Sequence, residues 1–158
     1  MALVLDTNLV AAEDRRDALT SAMTATSGST RVELEEAPGG VSGQLDLWSF
    51  GDASMFRART TGVSLVRDAR TVGATSTGVV AIAVQGGGLG RHQVGEHQRV
   101  VHPGDLMTVD VTRPFDFSWR GHGSSSALHV PISELGLSET ALRRAAGRLA
   151  SSPLYRIV

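Results

Sequence analysis

Val79-Val80-Ala81-Ile82-Ala83-Val84, Gly86-Gly87-Gly88, Arg91-His92-Gln93-Val94, Gly95-Glu96 and Gln98-Arg99-Val100-Val101 follow one another in the middle of the chain, and His102-Pro103-Gly104-Asp105, a further strand from Leu106 to Val111, Thr112-Arg113-Pro114 and Phe115-Asp116-Phe117-Ser118-Trp119-Arg120 complete the stretch. The first segment is apolar on both parities, as in a strand covered on both faces. The last alternates aromatic with polar residues. Five short strands punctuated by glycine and proline predict an all-β sandwich or barrel.

Working outward, residues 44–50, 55–61, 63–67 and 126–130 read as further strands, with one more over 31–35. Over 44–50 the apolar parity slips between Leu45/Leu47 and Trp48/Phe50, which predicts a bulge or a position buried on both sides. Residues 68–78 show no period and read as a loop. Residues 1–12 carry little signal beyond Asp6-Thr7-Asn8 as a turn or cap. A helix is expected over 13–26, with Leu19, Ala22 and Met23 on one face and Arg15 and Arg16 toward solvent, packed on the outside of the β-structure. A second helix is expected over 138–150. Ser138 caps it, Glu139 lies in its first turn, Arg143, Arg144 and Arg148 lie further along, and Leu142, Ala145, Ala146 and Leu149 form an apolar stripe. After Ser151-Ser152-Pro153 an apolar pattern starts at Leu154 and stops at Val158, which reads as a cut in a longer polypeptide.

The 158 residues suit one domain with a sizeable core. The formal net charge is −1, without a run of like charges, so the chain has no electrostatic footprint for nucleic acid. There is no cysteine, which excludes disulfides and thiolate metal sites. No apolar run approaches the ~20 residues that span a bilayer, and Met1-Ala2-Leu3 lacks the basic start of a signal peptide, so a cytoplasmic location is expected. All 15 basic residues are arginine.

Val-Gln-Gly-Gly-Gly (84–88), Pro-Gly-Asp (103–105) and Arg-Pro-Phe (113–115) resemble the second half of a cupin barrel. Further elements are Trp48-Ser49-Phe50-Gly51, Arg59-Thr60-Thr61-Gly62, Arg67, Leu135-Gly136-Leu137 and Ser152-Pro153-Leu154-Tyr155. Together these resemble the amino-terminal sensor domain of AraC-type transcription regulators, in the AraC-binding-like branch. The resemblance covers most of the chain. It implies a mainly β fold, a cupin-type double-stranded β-helix (a jelly-roll barrel) with flanking helices at both ends. The implied division is an arm and packing helix over 1–42, the barrel over 43–131, and a helical segment over 132–158 cut before a DNA-binding domain.

Metal-bearing cupins place His-x-His and Glu on a first motif and His on a second. Transferred onto this chain, those positions fall near Gly73 and Thr75, on Val79 and on Phe115, none of which is a ligand. No metal, no cofactor and no catalytic residue is therefore expected. The five histidines, His92, His97, His102, His122 and His129, match no zinc spacing and are expected at the surface or in structural hydrogen bonds, with His92 and His97 flanking a turn.

If Phe115 takes the place of an inward ligand, Phe117 and Trp119 point inward with it, and Ala81 and Ala83 follow Val79 into the lumen. Phe115, Phe117, Trp119, Ala81, Ala83 and Arg67 are thus the candidate lumen residues for an unknown small-molecule effector, the alternative being that the aromatics merely fill the core. Arg67 ends an apolar strand; it suits a carboxylate, though its position favours the surface. Arg59, Gln85, Gln98 and His92 are further polar candidates. Glu33, Glu35 and Glu36 read as a solvated strand edge. Leu142, Ala146 and Leu149 are the expected contacts of a homodimer, or else pack on their own barrel. The expected function is effector sensing and dimerisation in an AraC-type regulator, without DNA contact by this part or membrane association. The competing readings are a stand-alone binding module and a cupin enzyme such as an isomerase or dioxygenase.

Overall fold

A computed structural model describes residues 2–27, 30–74, 78–146, 148, 149, 152 and 155. Eleven strands are arranged in two antiparallel sheets: β1 (Ala2–Asp6), β2 (Arg31–Leu34), β3 (Gly43–Phe50), β4 (Ala53–Thr60), β5 (Val63–Arg67), β6 (Val79–Gly87), β7 (Gly90–Val94), β8 (His97–Val101), β9 (Leu106–Asp110), β10 (Phe115–Trp119) and β11 (Gly123–Pro131). The six-stranded sheet runs β1-β3-β4-β11-β6-β9, and the five-stranded sheet runs β2-β5-β10-β7-β8. Among the described residues three α-helices accompany them: α1 (Arg15–Ser27), α2 (Ala69–Ala74) and α3 (Glu139–Ala146).

The two sheets face each other as a jelly roll and do not close into a barrel. Among the described residues, β1 and β9 remain the edges of one sheet and β2 and β8 the edges of the other. The expectation of a barrel is corrected to two open layers whose rims are covered by other elements. Helix α1 covers the β1/β2 side. It contacts β1, β2 and β3, and Leu19 and Met23 are fully buried. Packed on the outside of the sheets, the helix thus buries its apolar face in the core, with Leu19 and Met23 turned inward as expected. Burial of two such side chains outweighs the weak intrinsic amphipathicity of the helix. On the other rim, β8 and β9 are joined by the 102–105 turn, and α3 contacts β9.

That turn is fixed by local chemistry. Gly104 adopts φ 90°, a conformation costly for other residues. Asp105 Oδ2 accepts the His102 N–H at 2.8 Å, and this hydrogen bond holds its carboxyl below the usual range. Gly104 N–H donates to the Gln85 carbonyl at 2.7 Å and Gln85 N–H to the Asp105 carbonyl at 3.1 Å, docking the turn onto β6. The Tyr155 hydroxyl completes the arrangement by accepting the Leu106 N–H at 3.0 Å.

Several expectations change. Residues 2–6 form a strand paired with β3, with an irregularity between Leu3 and Leu5. β3 itself pairs with β4 in unbroken register and its consecutive residues Leu45 and Asp46 are both buried, so of the two expectations for this strand it is burial on both sides that is found. Its parity changes because Leu45 is in the core while Trp48 lies beneath the Arg57 guanidinium, 5.1 Å from the ring centroid, and Phe50 is exposed. Part of the expected 68–78 loop is α2, whose first turn is capped by Asp68 accepting the Thr71 N–H at 2.8 Å. Asp6 does cap a short 3-10 turn, accepting the Asn8 N–H at 2.9 Å. Ser138 caps α3, accepting the Ala141 N–H at 3.2 Å. The apolar pattern from Leu154 onward lies outside the described residues except for Tyr155.

Candidate functional site

Register brings the inward residues of the five-stranded sheet into rows. One row runs Val32, Leu65, Phe117, His92 and Arg99 across five strands. The next runs Leu34, Val63, Trp119, Gly90 and Val101. On the facing sheet, Ala83 pairs with Met107 and Ala127, and Ala81 with Val109 and His129. Cross-strand partners share a face, so small alanines lie opposite large aromatics. Phe117 meets Trp119 edge-on at 5.6 Å between centroids, and His92 meets Phe117 edge-on at 6.3 Å.

The inward placement of Phe115, Phe117, Trp119, Ala81 and Ala83 holds: all five line one cavity between the sheets, with Met23 of α1 contributing to its wall. That cavity measures only ≈ 70 Å³. It has room for a few water molecules, whereas small-molecule sites usually measure ~300–1,000 Å³. In this conformation the aromatics largely fill the interior.

Arg67 pairs with Phe115 across β5 and β10 and is only 2% exposed. The preference for a surface position is corrected: the strand register carries it inward, and burial lowers its pKa. It does not line the ≈ 70 Å³ cavity. Gln85 is also fully buried, and its Nε2 donates to the Gly87 and Gly88 carbonyls at 2.7 and 3.0 Å, so it braces the glycine turn. Arg59 donates to Gln44 Oε1 at 2.8 Å and lines a polar hollow of ≈ 450 Å³ at the glycine-rich end of the sheets. Glu35 is a tie rather than a free carboxylate; its Oε2 accepts the Gly121 N–H at 2.7 Å.

His92 is 6% exposed, and its Nε2 has no hydrogen-bond partner among the described residues. A surface or hydrogen-bonded role is thus corrected. Burial, reinforced by the nearby Arg99 charge and opposed by Asp116, lowers its pKa to about 4, leaving a neutral imidazole at physiological pH. His97 is exposed at the start of β8, and His129 has its pKa lowered by burial.

A larger cleft lies at the β8/β9 rim. It measures ≈ 550 Å³ and is walled by His92, Val94, Arg99, Arg113 and Phe115 on one side and by Val80, Thr108 and the Leu142, Ala146 and Leu149 stripe on the other. Phe115 is shared with the inner cavity. The α3 stripe accordingly faces its own sheet, and Thr108 Oγ1 donates to the Ala146 carbonyl at 3.4 Å. The cleft escaped the sequence reading because its wall joins three segments distant in the chain; its one legible signal is the parity that places His92 and Arg99 on the inward face.

The positions where a metal-bearing cupin holds its ligands carry no ligand side chain. Val79 packs against the core, Phe115 lines the cavity, Gly73 belongs to α2, and Thr75 lies outside the described residues. Among the described residues, no three His, Asp or Glu side chains form a group able to hold a metal ion, and no helix is long and apolar enough to cross a membrane.

Among solved structures, the AraC-like transcriptional activator CuxR matches with a TM-score of 0.69 and 17% identity, over 95% of this chain and 58% of its own. This chain therefore spans less than two thirds of that activator. An RmlC-like cupin protein from Desulfovibrio desulfuricans matches with a TM-score of 0.46 and 11% identity, over 63% of this chain and 90% of its own. Ectoine synthase from P. lautus matches with a TM-score of 0.43 and 11% identity, over 56% of this chain and 64% of its own. No curated protein sequence matches. The fold is of cupin type, with its two antiparallel sheets and terminal helices. The family model of the AraC-binding-like domain matches residues 16–155, from the start of α1 to the tyrosine that pins β9, and the chain belongs to that family.

Proposed function

We propose that this domain is the non-catalytic effector-sensing module of an AraC-type transcription regulator, working in the cytoplasm. In this reading it binds a small organic effector and pairs with a second copy, and DNA is read by a part outside this chain. The observation that carries the reading is the match of the AraC-binding-like domain over 16–155. The interior supports it, since the positions a catalytic cupin would use for metal ligands hold valine and phenylalanine. The near-neutral charge, −1 with no basic stripe, supports assigning DNA contact elsewhere.

Pairing is assigned to the outer flank of α3, because Leu142, Ala146 and Leu149 already turn one side toward Val80 and Thr108. Sedimentation of Ala141→Asp and Ala145→Asp variants, at exposed positions of that flank, tests it: loss of a wild-type dimer supports the contact, and a dimer that persists in both removes it.

The sensing role is tested by a thermal-shift screen of small organic acids, sugars and nucleotides, with mass spectrometry of each hit after incubation. A hit recovered unchanged, together with weak binding of operator-like DNA at low salt, supports the reading. Turnover of the hit, a stoichiometric tightly held transition metal, or tight DNA binding overturns it.

A further inference from the structure

The cleft at the β8/β9 rim combines charge with apolar surface in a way the inner cavity does not. Arg99 and Arg113 contribute two guanidinium groups and Asp110 one carboxylate, and Asp110 is already engaged by the N–H of Thr112 at 2.9 Å. The local balance is therefore positive. Arg99 Nη2 is spent on the Leu106 carbonyl at 3.0 Å, but a guanidinium has five donors, and this bond leaves others available while fixing the group at the rim. Arg113 sits exposed in the turn before β10, next to Pro114, which also lines the cleft.

His92 supplies the second, independent observation. It is more than nine-tenths buried, it lines this cleft, and its Nε2 has no partner among the described residues. A buried polar atom left without a partner costs free energy unless water or a ligand answers it. The opposite wall is mainly apolar, built from Val80 and the α3 stripe with Thr108 beside them. The cleft's ≈ 550 Å³ lies within the ~300–1,000 Å³ range of small-molecule sites.

We propose that this cleft, rather than the space between the sheets, is the effector site, and that its ligand is a small organic carboxylate with an apolar body. The carboxylate meets the Arg99 and Arg113 guanidinium groups, His92 Nε2 hydrogen-bonds a polar atom of the ligand, and the body packs between Phe115 and Leu142. This rests on the sensing role proposed above and names its site. It also supplies a route for the signal: filling the cleft presses on α3, whose outer flank is the assigned pairing surface. The ligand acts on the pairing equilibrium only through its different affinity for the two positions of that helix.

The test uses the 158-residue chain with benzoate, phenylacetate and cyclohexanecarboxylate, each beside its neutral primary amide. Titrations are followed by calorimetry and by the imidazole C–H signals of His92. The expected result is saturable binding of at least one acid, with its amide at least tenfold weaker, a shift of the His92 signals, and a loss of tenfold or more in Arg113→Gln. Arg99→Gln should lose a similar factor. Because Arg99 also ties the rim, Arg113→Gln, in an exposed turn, carries the test if Arg99→Gln unfolds. No saturable binding of any acid, equal binding of acid and amide, or full affinity in Arg113→Gln overturns the proposal. A hit from the broader screen whose binding is lost in Ala83→Phe but kept in Arg113→Gln removes the cleft and leaves the sensing role standing. Turnover or tight DNA binding removes the sensing role irrespective of the cleft.

Discussion

The Arg99 guanidinium donates to the Leu106 carbonyl at 3.0 Å, so a side chain from the edge of one sheet ties down the edge strand of the other. Leu106 is held from both sides, since its N–H donates to the Tyr155 hydroxyl. An open two-layer fold must satisfy or cover its edge groups, and here long side chains do so where the backbone ladder stops. Arg99→Gln should destabilise the domain by about 1–2 kcal/mol, toward the low end expected of a charged hydrogen bond because the arginine is exposed. Urea unfolding checks this: an unchanged midpoint would show that the tie contributes nothing.

Tyr155 extends the same logic to the carboxyl-terminal region. Its hydroxyl accepts from Leu106 N–H at 3.0 Å and lies 3.4 Å from Asp105 Oδ1 as a donor. Tyr155→Phe keeps the ring and removes only these bonds, so it should cost about 1 kcal/mol. Hydrogen exchange should quicken at the Leu106 amide more than at Val80, in the middle of β6. A uniform change across both strands would mean that the hydroxyl does not pin β9 locally.

The β-structure was legible because its signals are local. Gly86-Gly87-Gly88, Pro103-Gly104 and Pro114 punctuate the strands, and the alternation of Phe115, Phe117 and Trp119 gives their inward face without knowledge of any partner. What escaped depends on distant pairing. Ala2–Asp6 is too short to declare itself and becomes a strand only against β3. Arg67 looks superficial in sequence, but its register opposite Phe115 buries it. Whether two sheets close into a barrel depends on whether edge strands reach one another, and no residue pattern within a strand encodes that. The β8/β9 cleft shares this property, since it exists only where α3 meets two separate edges.

Acid should reveal His92. Its ordinary pKa is ~6.5 in an unfolded chain, whereas in the fold it is lowered to about 4, first by burial and then by Arg99, against Asp116. The unfolded chain takes up a proton before the native state does, so the stabilisation is fully present above pH ~6.5 and is lost as pH falls through about 4. Arg99 and Asp116 face the imidazole, and Asp110, Arg113 and His97 share the cleft. His129 titrates with the same sign because burial also lowers its pKa, so the measurement is a difference. The stability-against-pH curve of His92→Leu should be flatter than that of the wild type over this window, by about 3 kcal/mol. The depressed carboxyls of Asp68 and Asp105 act at lower pH and leave the window clear. Parallel curves would show that His92 is not kept neutral by the fold.

The α1 contacts make a packing prediction. Leu19 and Met23 are fully buried, and Met23 lines the ≈ 70 Å³ cavity. Leu19→Ala should cost about 2–5 kcal/mol. Met23→Ala should cost a comparable amount and enlarge the cavity, so xenon or a small apolar probe should enter the variant and not the wild type. If both variants retain wild-type stability, the α1 face contributes nothing to the core.

Gly123 tests how tightly the aromatic interior is packed. A Cβ placed there would overlap Trp119 Cδ1 and stand 2.5 Å from Nε1, so alanine can enter only if the indole moves. Trp119 is 3% exposed and already packs edge-on against Phe117, which gives it little room to retreat. Gly123→Ala should therefore destabilise by about 1–3 kcal/mol, the usual cost of overpacking. Gly39→Ala, where the new methyl meets nothing within 4 Å, should be near neutral. In a Trp48→Phe background the emission reports Trp119 alone, because the chain has two tryptophans. That emission should move to longer wavelength as the ring is displaced toward solvent. A blue, unshifted spectrum with wild-type stability would mean that the sheets part easily at this end. The interior would then be an expandable chamber able to admit an effector, and the filled core inferred from Phe115, Phe117 and Trp119 would have to be given up.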